Sequence, residues 1–107
     1  MHTSDSNRLL LELEKKRRDI NRAIINPRID ELSLDDLEPI LSMVANARAD
    51  YLCALFALTT GDTGIPNEDQ VEELRLRRQT FDELVSAVNA LETVIQRGYL
   101  DVKASRG

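Results

Sequence analysis

A chain of 107 residues with a net charge of −5, 31% charged residues and 4% aromatics is long enough for one core and too short for two. Its single cysteine, Cys53, excludes an intramolecular disulfide and any zinc site built from several thiolates. Scarce glycine and proline beside abundant Leu, Ala, Glu and Arg point to an all-α fold, and the acidic balance disfavours non-specific nucleic-acid binding.

The chain opens Met-His-Thr-Ser-Asp-Ser, without the basic-then-apolar order of a secretory leader. No unbroken apolar run approaches the ~20 residues of a membrane span. The expectation is cytoplasmic residence with no membrane partner. His2, the only histidine, lies in this polar end, which argues against a catalytic or metal role.

A first helix is expected over residues 5–25, with Leu9, Leu13, Ile20 and Ile24 in one apolar line widened by Leu10. Asn26-Pro27 ends it, because the residue before proline resists helical angles. Its Lys15, Arg18 and Arg22 share a basic face, interleaved with Glu12, Glu14 and Asp19.

A second helix is expected over 34–59. Ser33 offers a cap, and Asp35 and Asp36 suit the helix dipole. Pro39 lies deep enough to make 34–37 a separate turn. The apolar face takes in Leu37, Ile40, Leu41, Val44, Ala47, Tyr51, Leu52, Leu55 and Leu58, and Arg48 stands in the middle of it. A guanidinium stays charged and is costly to bury alone, so Arg48 requires a partner.

Thr59 to Asn67 contains two glycines and a proline and reads as a connector. A third helix is expected over 67–97. Phe81, Val88 and Ile95 recur every seven residues with Leu84 and Leu91 between them, which is coiled-coil spacing. Gly98 suits the position just past its end. The result is an elongated antiparallel three-helix bundle, a single domain over 1–107 with mobile ends at 1–4 and 103–107.

Arg48 has company. Arg17 borders the first helix's apolar line, Arg77 and Arg78 flank the third helix's stripe, and Glu92 lies on that stripe. The plainest reading lays the arginine stems on apolar surface with their heads in water or on a carboxylate. A sharper one makes Arg48, Arg17, Arg77, Arg78, Glu92, Tyr51 and Phe56 contacts of a subunit interface or a bound anion. Nothing in the chain matches a calcium loop, a phosphate loop, a cofactor motif or a nucleophile–base pair.

The expected function is a non-enzymatic helical interaction module: an adaptor, chaperone-like protein or regulatory subunit that pairs with itself as a homodimer and with a further protein. One alternative is a small helical enzyme or anion-binding protein with an arginine-lined pocket. Another is a nucleic-acid-associated regulator using Lys15, Arg18 and Arg22. No cofactor and no metal are expected.

Overall fold

The computed structural model describes residues 3–103. It is all-α, with three helices: α1 (Thr3–Ile25), α2 (Leu34–Ala57) and α3 (Glu68–Gln96). A 3-10 turn, Asn26–Arg28, follows α1 where Pro27 stops it. The chain divides into two compact units. Unit 1 is Met1–Leu34 with Leu91–Gly107, and unit 2 is Asp35–Ala90. His2 lies outside the described residues.

Unit 2 is a helical hairpin. Tyr51 meets Phe81 with ring centroids 5.9 Å apart, and Gln70 Nε2 donates to Ala57 O at 3.2 Å. Moving back along α2 therefore moves forward along α3, so the pair is antiparallel. The α2 residues turned inward are Leu37, Ile40, Val44, Ala47, Tyr51 and Ala54, with Leu58 continuing the row just past the helix end, alternately three and four apart. That is the spacing at which one helix seam keeps facing a partner. Val44 and Ala47 are the most buried, each 8% exposed.

Pro39 does not break α2, which runs unbroken from Leu34. The proline stands early enough that the carbonyl it leaves without an amide belongs to the solvated first turn. The α2 end is closed by Thr59 Oγ1 donating to Phe56 O and Thr60 Oγ1 to Ala57 O.

The start of α3 is a reciprocal cap. The Gln70 amide donates to Asn67 Oδ1 at 2.8 Å, and the Asn67 amide donates to Gln70 Oε1 at 2.9 Å. Two orphan amides of the first turn are thereby satisfied. Because Gln70 also reaches Ala57 O, one side chain ties the α3 start to the α2 end.

Unit 1 joins α1 to the tail of α3 and the segment after it. Gly98 adopts φ +72. The Gly98 amide donates to Ile95 O and the Tyr99 amide to Val94 O. This glycine-terminated ending follows the expectation at Gly98. It folds Tyr99 and Leu100 inward, and these are the best-buried residues of the unit at 7% and 3% exposed. The next residues form a short parallel bridge between Leu32 and Val102. The Leu32 amide donates to Asp101 O, and the Lys103 amide donates to Leu32 O at 2.6 Å.

The apolar line of α1 departs from expectation. Leu9, Leu10, Leu13, Ile20 and Ile24 are all exposed, and no α1 residue is fully buried. The side that α1 turns towards the 97–101 segment carries Arg17, Asn21, Arg22 and Ile25 instead. Arg18 and Arg22 on this part of α1 donate to the carbonyls of Arg97 and Gly98.

Candidate interaction surface

The side chains that sequence periodicity marks as unusual fall into three groups. The first surrounds Arg48. Its guanidinium is exposed and stands over the Phe81 ring of α3, 5.2 Å from the centroid. The partner it requires is thus an aromatic face and not a carboxylate. The ring's negative face attracts the cation while its other donors stay in water. Tyr51, half-buried, packs on the same ring. The spacing places Arg48, Tyr51 and Phe81 on apolar rows but cannot show that two helices bring them together.

The second group is the remaining arginines. Arg17 pairs with Glu14 one turn back, and Arg77 Nε donates to Glu73 Oε1 at 2.7 Å. Arg75 is held by Glu72, and its hydrogen bond draws the Glu72 carboxyl below its usual value. Arg78 borders an open depression on α3 with Gln79, Thr80, Asp82 and Glu83. Glu92 is exposed. Arg17, Arg75 and Arg77 are thus matched to local acids along their own helices.

The third group is the basic face of α1, and two of its members have a structural task. Arg18 Nε donates to Arg97 O at 3.3 Å, and Arg22 Nη1 donates to Gly98 O at 3.1 Å. Both satisfy carbonyls at the end of α3, where a cation also suits the helix dipole. Arg22 further pairs with Asp101. Asn26 completes the clasp, accepting from the Asp101 amide at 2.9 Å. The Arg22 hydrogen bond, followed by that of Asn26, holds the Asp101 carboxyl below its usual value. Lys15 remains on the surface beside Glu12, Lys16 and Asp19.

One solvent-facing side of α2 is apolar. Leu41, Leu52, Leu55 and Phe56 lie within about 100° of one another around the helix, and all are exposed, Phe56 by 70%. With Ala45 and Arg48 they form a second row, Leu41-Ala45-Arg48-Leu52-Leu55, again alternately four and three apart. Thus α2 carries two seams, one spent on α3 and one free.

By length and composition α2 is also apolar enough to cross a membrane. Arg48 and Asp50 interrupt its apolar run. Among the described residues no group of His, Cys, Asp or Glu is arranged to hold a metal ion. Comparison of the chain with protein-family models, with curated proteins and with solved structures finds no match.

Proposed function

We propose that this chain is a non-enzymatic helical interaction module that associates with itself. The observation that carries the reading is the second seam of α2. Three half-exposed leucines and a largely exposed phenylalanine amount to roughly 400 Å² of contiguous apolar surface, the scale at which a patch marks an association site. The arginines support the same reading. Arg17 and Arg77 are paired along their own helices and Arg48 is stacked on a ring, so they do not converge on an anion pocket.

Thermal melting followed at several protein concentrations tests this. Association that stabilises the folded chain makes the melting temperature rise with concentration. A rise between micromolar and hundred-micromolar protein is expected. A melting temperature that does not move with concentration contradicts the proposal.

A further inference from the structure

Two exposed apolar lines, one on α1 and one on α2, match in length and spacing. On α1 the exposed line runs from Leu9 to Ile24; on α2 it runs from Leu41 to Phe56. Each covers the same number of residues, about 22 Å of helix at 1.5 Å per residue. Each also contains a strict alternation of three and four, Leu10-Leu13-Arg17-Ile20-Ile24 and Leu41-Ala45-Arg48-Leu52-Leu55. Helices with this repeat pack side by side at a shallow angle. We infer that α1 of one copy docks on the second seam of α2 in another copy, reciprocally, so that each hairpin receives its third helix from the partner molecule. This rests on the self-association proposed above and names its geometry.

Charge selects this pairing over α2 against α2. Unit 2 carries eleven carboxylates and four arginines, a net charge of −7, whereas α1 carries six bases and four acids, a net charge of +2. Two hairpins placed face to face repel, while α1 against a hairpin attracts. The arginine at the centre of each row does not oppose the contact. Arg17 arrives paired with Glu14, and Arg48 is already turned onto Phe81. Glu12, at the edge of the α1 line, brings a further carboxylate to this contact.

The area is also adequate. The α1 line offers roughly 500 Å² of apolar surface and the α2 seam roughly 400 Å², the two together reaching the ~800 Å² that each partner contributes to a standard stable interface. An α2–α2 pair uses the second patch alone and leaves the five aliphatic side chains of the α1 line in water.

Sedimentation and native mass spectrometry of full-length single variants decide the matter. Leu13→Asp and Leu52→Asp each place a charge in one of the two faces, and each is expected to weaken dimerisation at least about tenfold. Both side chains are half-exposed in the single chain, at 47% and 46%, so helicity by circular dichroism is expected to hold. Should an aspartate lower it, Leu13→Ala and Leu52→Ala are expected to give the same pattern more weakly. Leu11→Asp, on the opposite side of α1, is expected to leave the dimer intact. Mixing the two aspartate variants, one of them isotopically labelled, is expected to restore a mixed dimer, because one undamaged α1–α2 contact remains. A dimer indifferent to Leu13→Asp, or one that mixing does not restore, overturns the exchange while leaving self-association standing. A wild-type chain that is monomeric overturns self-association itself.

Discussion

At the scale of single residues, the Arg48 guanidinium stands 5.2 Å from the centroid of the Phe81 ring. Periodicity puts Arg48 in an apolar row, and ionic chemistry demands a partner. The identity of that partner depends on which α3 residue lies opposite, and spacing along one helix does not contain that. The same holds for Arg18 and Arg22. Their shared face is visible in the sequence, yet the carbonyls they satisfy, of Arg97 and Gly98, lie 79 and 76 residues further along the chain. An exposed cation–π contact is worth about 0.5–1 kcal/mol. Arg48→Ala is therefore expected to lower monomer stability by about that amount, with Arg48→Lys retaining part of it, in urea unfolding at low protein concentration. A loss of several kcal/mol would belong to a buried guanidinium and contradict its exposed, stacked placement.

At the scale of elements, the helix bounds were largely legible because stop and start chemistry is local. Pro27 ends α1 and Gly98 terminates α3. Pro39 misleads towards a break because its cost depends on where the first turn falls, and that turn begins earlier than the proline suggests. The Asn67–Gln70 cap was present in the sequence as a capping residue followed three positions later by glutamine, a signal the connector reading passed over. Removing it with Asn67→Ala is expected to destabilise the protein by about 1 kcal/mol, seen as a lower urea midpoint with unchanged slope. The clasp that fastens the segment after α3 makes a pH-dependent prediction. Asp101 has a folded-state value below the ordinary 3.8, so its contribution is fully present above that pH and is lost as pH falls through the lowered value. Acid titration by NMR is expected to shift the Leu32 and Lys103 amides below about pH 4. Asp101→Asn is expected to abolish that dependence. Amide shifts that stay flat in the wild type down to strong acid would contradict the role given to Arg22 and Asn26.

At the scale of the whole molecule, periodicity counts apolar stripes but does not assign their neighbours. The all-α class and the three helices follow from spacing. The destination of the α1 stripe does not, because a row of leucines reads the same whether its partner lies within the chain or on another molecule. The ambiguity is sharpest in α2, where two seams share one helix and a single broad apolar face is all that a sequence displays. Leu37, Val44 and Tyr51 turn towards α3, while Leu41, Leu52 and Phe56 remain in solvent. The apolar surface left exposed on α1 and α2 is the ground for the central claim, that this chain works by associating through those faces. Sedimentation velocity of the wild-type chain across the micromolar range tests it most directly. The account predicts a concentration-dependent shift to a species of twice the chain mass. A single species of chain mass at every concentration would contradict it.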